Sequence, residues 1–294
     1  MLLKVREHSD RECVMVQTSE KTLLEKRAVL VNILEQMSSV IVAYSGGVDS
    51  AFLAAVANEA LGEKALSVTA VSPSLAPSEL EEATELAHRI GLNFMTVQTN
   101  EIDREDYQAN NPDRCFFCKD ELYTHLVRFA EEESFDSITN GTNMDDLGDY
   151  RPGIEAAKQY GVRSPLVEAE LTKDDIRTLS REMNLPTWDK PAQACLSSRI
   201  PYGTTVTVEA LTKIAKAEQF LRSKGFKQLR VRHHETIARI EIEPSDFNAI
   251  SSDPLRSEIS KEFKNIGYSY VTLDLEGFRS GSLNEILSKL GKSK

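Results

Sequence analysis

Three groups of residues have types and spacings suited to chemistry. The first is Ser45-Gly46-Gly47-Val48-Asp49-Ser50, set between the apolar run Val40-Ile41-Val42-Ala43 and the small, apolar segment 51–60. The run before it reads as a strand buried on both faces, and Asp49 onward reads as the first turns of a helix. Two adjacent glycines let successive backbone N–H groups converge without a Cβ in the way, and a helix N-terminus adds partial positive charge. The result is an anion cradle. It lacks the G-x-x-x-x-G-K-[ST] spacing of the commoner phosphate loop and the three glycines of the dinucleotide fingerprint.

The second group is Cys115-Phe116-Phe117-Cys118, between Asn110-Asn111-Pro112-Asp113-Arg114 and a helix predicted to begin near Lys119, together with Cys195. Two thiols at that spacing can bind one metal or close a small redox ring. Three thiolates leave one position open, which suits a [4Fe–4S] cluster on Cys115, Cys118 and Cys195. Zinc closed by His125 or His88, a dithiol couple, and unlinked thiols are the alternatives. Cys13 lies in an N-terminal stretch without strong periodicity and reads as uninvolved.

The third group surrounds Cys195 in the downstream sequence. Arg199, four residues on, could lower its pKa or hold an anionic substrate. Arg230 and Arg232 alternate on a strand and so share a face, a bidentate site for a substrate phosphate or carboxylate. Glu218 and Glu241 are carboxylates that could hold a divalent metal near Cys195. His233-His234 reads as a strand-end pair, and the single tryptophan, Trp188, as packing.

These residues must be positioned by alternating elements. After an arm at 1–20, Thr22 to Met37 reads as a helix leading into the loop-bearing strand. A second strand is expected at Ala65 to Val71, a helix from Pro77 to about Ile90, a third strand at Leu92 to Val97 and a fourth at Asp136 to Asn140. Strand and helix alternate, so 21–187 is expected to be a parallel α/β unit. In such sheets ligands lie beyond the carboxyl ends of the strands. That places Val71-Ser72-Pro73 where adenine could meet backbone amides. It also places Gly141-Thr142-Asn143 over the phosphates, with Asp145 and Asp149 as Mg²⁺ or water-shell ligands and Arg151 facing the anion. A helix from about Leu171 to Met183 closes this unit. Residues 188–294 read as a smaller α+β unit: a link, a helix at Val208 to Lys224, strands at Lys227 to Val231 and Ile237 to Ile242, a helix near Pro254 to Asn265, and a strand at Tyr268 to Leu273.

The chain has 294 residues, 40% hydrophobic and 28% charged, with a formal net charge of −11. That is enough length for two sizeable cores. The net charge argues against a nucleic-acid partner. There is no run of eighteen apolar residues and no signal-like start, so the expectation is a cytoplasmic enzyme without a membrane partner.

The hexapeptide resembles the SGGxDS pyrophosphate loop of the ATP pyrophosphatase superfamily, whose members adenylate an oxygen and release pyrophosphate. The resemblance implies a Rossmann-like sheet of the HUP type. It also implies ATP contacts from Ala43, Ser45, Gly46, Gly47, Asp49, Ser50, Val71, Gly141, Thr142, Asn143, Asp145 and Arg151, with Mg²⁺ on Asp49. The loop, Gly141-Thr142-Asn143, the segment from Cys195 to Gly203 and Leu229-Arg230-Val231-Arg232-His233 together resemble the LarE family of ATP-dependent sulfur transferases, from about residue 20 onward. That resemblance implies that a pyridinium biscarboxylate mononucleotide, an intermediate of the nickel-pincer nucleotide cofactor, is adenylated and converted to the thiocarboxylate. Many relatives give up the sulfur of the residue matching Cys195. Cys115 and Cys118 depart from those relatives and favour the three-cysteine branch, in which a cluster carries sulfide. The implied partners are a nucleotide substrate, a sulfide or other sulfur donor, a downstream nickel-inserting protein and further copies of the chain. A tRNA thiolation enzyme, an amide-forming synthetase and a nucleotide-sensing regulator are the rival readings.

Overall fold

The computed structural model describes residues 21–148, 152–191, 194–279 and 281–284. Cys13 and the arm, Asp149 and Arg151 lie outside these residues. The first part of the chain runs α1 (Leu23–Gln36), β1 (Val40–Ala43), α2 (Val48–Leu61), β2 (Ala65–Val71), α3 (Pro77–Ile90), β3 (Asn93–Gln98), α4 (Glu105–Gln108), α5 (Arg114–Glu133), β4 (Ser137–Asn140), α6 (Pro152–Gln159), α7 (Pro165–Glu168) and α8 (Lys173–Glu182). Its four strands are all parallel, in the order β3-β2-β1-β4.

The side-chain alternation of a strand explains the layers. Val40 and Val42 face a core built with α1, α2 and α8, through Leu30, Leu34, Phe52, Leu53, Ile176 and Leu179. Ile41 points the other way, onto Leu122, Tyr123 and Leu126 of α5 and Ala156 of α6. Both faces are covered, as a parallel sheet requires.

The second part runs α9 (Val208–Ser223), β5 (Leu229–His234), β6 (Ile237–Ile242), α10 (Phe247–Ser251), α11 (Leu255–Ile266) and β7 (Tyr270–Leu273). Here β6 pairs antiparallel with β5 and parallel with β7, and Ala217, Leu221, Phe263 and Tyr268 close the core. A separate apolar cluster joins the two parts: Ile102 and Tyr107 from the first pack with Leu196, Ile200, Val206 and Leu211. No helix among the described residues is long and apolar enough to cross a membrane.

The fold class matches expectation, with one correction that bears on the thiols. The helix expected near Lys119 begins at Arg114, so Cys115 and Cys118 sit inside its first turns. Asp113 at the N-cap, one residue after Pro112, was the available start signal. Likewise, the strand expected to stop at Val231 runs on to His234.

α1 and α8 are locked by one polar contact. Thr172 and Asp175 form a capping box at the start of α8, and Lys26 donates to Asp175 at 2.6 Å. Burial pushes the Asp175 carboxyl up, but Lys26 and Thr172 outweigh it and hold it below its ordinary value. Because the folded-state pKa is depressed, this stabilisation is present above the unfolded value and lost as pH falls through the folded one. Asp175→Asn should therefore cost about 1 kcal/mol at pH 7, in the range of a lost cap. Denaturant titrations should show that difference shrinking as pH falls through the depressed folded-state value of Asp175 and the wild-type carboxyl is protonated too.

Candidate active site

The glycine loop leaves β1 at its carboxyl end. Ala43, the last residue of β1, stands between Val68 of β2 and Asn140 of β4. Ser45 N–H donates to Ser50 Oγ at 3.1 Å, the two hydroxyls lie 3.0 Å apart, and Ser50 Oγ donates to the Gly47 carbonyl at 3.2 Å. Gly47 is the N-cap of α2 and supplies no side-chain cap, so first-turn N–H groups are left for a ligand. Gly46 has φ +69°, and a Cβ there would stand 2.7 Å from the Ala83 Cβ. A Cβ on Gly141 would stand 2.9 Å from the Ser50 nitrogen. The Gly141-Thr142-Asn143 turn is thus pressed onto the start of α2.

Asp49 is the charged residue of the loop. Its Oδ2 accepts from Lys173 Nζ, and its buried Oδ1 has no hydrogen-bond partner among the described residues. An orphaned carboxylate oxygen beside an anion cradle fits one ligand position of Mg²⁺, whose remaining ligands are usually phosphates and water. Asp145 is committed elsewhere: Oδ2 accepts from Lys173 N, and its own N–H donates to Asn143 Oδ1 at 2.9 Å. Thr142 N donates to Asn140 Oδ1 at 3.0 Å, and the Val71 carbonyl accepts from Thr99 N at 3.1 Å.

Sequence reasoning missed Lys173, which the fold brings to Asp49 from 124 residues away. Its only local signal is its place as first residue of a capped helix. It also missed Glu101, a buried carboxylate that accepts from Ser72 Oγ and whose Oε2 has no hydrogen-bond partner among the described residues.

The three thiols come within electrostatic reach of one another. Cys115 and Cys118 are three residues apart on α5 and share a face. Cys195 precedes a short 3-10 turn, Leu196–Arg199. Desolvation by the surrounding protein raises the Cys115 thiol, and Cys195 adds to it while Arg114 and Lys119 oppose it. Burial pushes Cys118 up to about 12, with Glu101 a second cause. For Arg114, burial is outweighed by the charges of Cys195 and Cys115, and its pKa rises. For Lys119, burial is likewise outweighed, by Tyr123 and then by the thiols. The donor chemistry, soft thiols ringed by two cations, fits an iron–sulfur cluster. The side chains have not converged, however. Among the described residues no three His, Cys, Asp or Glu groups stand close enough to hold a metal ion.

Cys195 is held against the first sheet by polar contacts. Leu196 N donates to the Ser74 carbonyl at 2.9 Å. Tyr107 Oη meets Ser74 Oγ and Ser197 Oγ, each at 2.5 Å. Arg114 donates to the Ser197 carbonyl at 3.0 Å, and Asn110 Nδ2 to the carbonyls of Pro201 and Thr204 at 2.8 and 2.9 Å.

Beyond Cys195 lies a buried cluster of arginines and glutamates. Arg199 forms a fork with Glu218, 2.8 and 3.0 Å, and also donates to the Cys195 carbonyl at 3.2 Å. Arg232 forms a second fork with Glu241, 2.9 and 2.8 Å, and reaches the Ser198 carbonyl at 2.7 Å. Where sequence suggested open carboxylates for a metal, Glu218 also accepts from Val231 N at 3.0 Å and Glu241 from Arg239 at 3.2 Å. Their oxygens are occupied by arginine and backbone donors. For the same reason Arg199 and Arg232 hold carboxylates of the protein in place of an incoming anion.

Arg230 differs from its neighbours. It lies 4.8 Å from the centroid of the Phe278 ring, and its one hydrogen bond among the described residues goes to the Arg279 carbonyl at 3.4 Å. Burial, then Arg232 and Arg199, push its pKa down to about 10. Of the two arginines expected to take a substrate anion, Arg230 is the one with no carboxylate fork among the described residues.

Comparison with known proteins narrows this chemistry. The NAD synthase family model matches residues 26–126, the loop and the strands beside it. The chain is 24% identical to tRNA-specific 2-thiouridylase of Rickettsia africae over 200 residues, 55% of this chain and 54% of that one. It is 48% identical to the uncharacterized protein slr1717 of Synechocystis over 254 residues, 86% of this chain and 95% of the relative. It is 36% identical to pyridinium-3,5-bisthiocarboxylic acid mononucleotide synthase of Lactiplantibacillus plantarum over 272 residues, 91% of this chain and 97% of the relative. At 91% of the chain the last match must take in both the loop and the Cys195 segment, and with it the chain belongs to the LarE family of ATP-dependent sulfur transferases.

Proposed function

We propose that the enzyme adenylates the carboxylates of pyridinium-3,5-biscarboxylic acid mononucleotide and converts them to thiocarboxylates, for assembly of a nickel-pincer nucleotide. A carboxylate is a poor electrophile, and its oxygen must first become a leaving group. In-line attack of that oxygen on the α-phosphorus of ATP forms the acyl-adenylate and expels pyrophosphate. The loop N–H groups and Lys173 would take up the charge of the departing pyrophosphate. Bound to Asp49, Mg²⁺ would supply further neutralisation there. Sulfide then attacks the acyl carbon, the C–O bond to AMP breaks, and AMP leaves with its electron pair. Arg230, a buried cation without a carboxylate partner among the described residues, suits the substrate phosphate.

The observation that carries this reading is the contact from Leu196 N to the Ser74 carbonyl. It holds Leu196, the neighbour of Cys195, against the turn that follows β2, at the end of the sheet where the glycine loop opens, and this supports adenylation and sulfur delivery at one site. We assign Cys115, Cys118 and Cys195 as the residues that would hold a [4Fe–4S] cluster. When bound, such a cluster offers an iron without a protein ligand, where exogenous sulfide can be carried. The net charge of −11 disfavours the tRNA alternative.

The test combines ATP, the biscarboxylate nucleotide and sulfide with anaerobically isolated protein. AMP, pyrophosphate and the thiocarboxylate are expected, and ADP as product would refute adenylation. Cys115→Ser should lose the brown colour and bound iron yet still release pyrophosphate. Colourless wild-type protein carrying one zinc and transferring sulfur undiminished would reject the cluster. Intact mass after turnover separates the two sulfur sources, because sacrifice of Cys195 leaves the chain lighter by the elements of H₂S.

A further inference from the structure

We infer that Lys190 is a positioning residue that couples occupancy of the glycine loop to the seating of the Cys195 segment. The inference rests on the reading above that the loop takes the pyrophosphate end of a nucleotide. Lys190 lies five residues before Cys195, on the stretch that links the two parts of the chain. Its side chain folds back to the loop: Nζ donates to the Gly46 carbonyl at 3.3 Å and pairs with Glu82 at 2.8 Å, with only 17% of the side chain exposed.

The backbone around Lys190 is fixed to α8. Arg177 donates to the Trp188 carbonyl at 2.7 Å and to the Lys190 carbonyl at 2.9 Å, and the Arg181 guanidinium lies 5.2 Å from the Trp188 ring centroid. Lys190 N in turn donates to the Thr187 carbonyl at 2.9 Å. The same helix carries Lys173, whose ammonium meets Asp49. A closed circuit results: glycine loop, Lys173, α8, Arg177, linker, Lys190, and back to the loop at Gly46. Cys195 leaves this circuit at Lys190, and the loop's ligand enters it at Gly46.

Of the two partners the Lys190 ammonium has among the described residues, Glu82 is half exposed, and an ion pair to such a group contributes little. A pyrophosphate carries several negative charges and would sit against the N–H groups of the same turn. The Lys190 ammonium then gains more by turning toward the phosphates than by staying on Glu82. Nucleotide bound in the loop thus draws on the linker and steadies the segment that presents Cys195. When the loop empties, the ammonium returns to Glu82 and the Gly46 carbonyl.

The test uses full-length protein as isolated, with inorganic pyrophosphate and Mg²⁺ as the probe. Calorimetry reads affinity, and amide hydrogen exchange of peptides covering residues 194–203 reads the Cys195 segment. In wild type, saturating pyrophosphate should slow exchange across those peptides. Lys190→Gln should weaken pyrophosphate binding about tenfold, the size of one charge-assisted contact, and at saturation should leave exchange there unchanged. Lys190→Arg should keep both effects. Glu82→Gln, which frees the ammonium, should tighten binding severalfold, whereas a merely structural salt bridge would make it neutral or harmful. If wild type does not bind pyrophosphate, the reading of the loop fails. If wild type and Lys190→Gln bind and protect the segment equally, or if binding protects it in neither, the loop reading stands and the role of Lys190 is refuted.

Discussion

Gly141→Ala is expected to cut ATP-dependent pyrophosphate release by at least about a hundredfold while leaving the second sheet folded. The added Cβ would stand 2.9 Å from Ser50 N, 3.1 Å from Ser50 Cα and 3.2 Å from the Asp49 carbonyl carbon. All three are backbone atoms in the first turn of α2, so no side chain can swing aside. Either the turn after β4 lifts or the start of α2 tilts, and both move the N–H groups that define the cradle. Overpacking of this kind costs about 1–3 kcal/mol in stability, but the larger effect is on catalysis, since displacements of about 1 Å can cost a hundredfold. Gly46→Ala should behave similarly, for two reasons together: its φ of +69° and the Ala83 Cβ at 2.7 Å. Gly148→Ala is the matched control, with nothing among the described residues within 4 Å of its added Cβ, and should be indistinguishable from wild type. Pyrophosphate-release assays beside thermal melts check all three, and a fully active Gly141→Ala would sever that turn from the chemistry.

The contacts at Gly141 also show what the sequence could and could not convey. A strand followed by two glycines and a small-residue helix is a local pattern, and it placed β1, the loop and α2. β2 was legible at the same bounds and α1 nearly so, although Leu24 of α1 is 71% exposed. The parallel sheet followed from alternation of elements, because a buried central strand must be hydrophobic on both faces. The start of α5 was misplaced because two phenylalanines between cysteines look like a loop unless Asp113 is taken as a cap. What could not be read was the partnering of charges. Alternation put Arg230 and Arg232 on one face of β5, which is correct, yet no local rule says which of them finds a carboxylate. That depends on register: Arg230 stands opposite Glu241 in the ladder, while the Glu241 carboxylate turns to Arg232. Lys173 and Lys190 were invisible for the same reason. A lysine carries no periodic signal, and their partners Asp49 and Gly46 are more than a hundred residues away in the chain.

That division of charge leads to opposite effects from two substitutions on facing strands. Glu241 is fully buried and accepts a fork from Arg232 together with a bond from Arg239. Glu241→Gln leaves Arg232 uncompensated beside Arg230, and breaking a buried pair from one side costs about 3–5 kcal/mol. Arg230→Met should do the reverse. Its pKa, driven down to about 10 by burial and by Arg232 and Arg199, says that the fold disfavours the charged form. The depressed value fixes the sign: the charge is held at a cost at neutral pH, and that cost is relieved only as pH rises through about 10. A methionine ends one bond short of the guanidinium carbon and gives up its contact with the Phe278 ring, but it removes the cost of the buried charge, so stability should hold or rise by about 1 kcal/mol. The same substitution takes away the cation proposed for the substrate phosphate, and KM for the mononucleotide should rise at least about tenfold. Stability retained at the expense of substrate affinity is the signature of a group kept for binding. Urea denaturation read against KM for the same two variants decides the matter: if Arg230→Met unfolds more easily and binds substrate as before, Arg230 belongs to the architecture, and the phosphate must be sought elsewhere.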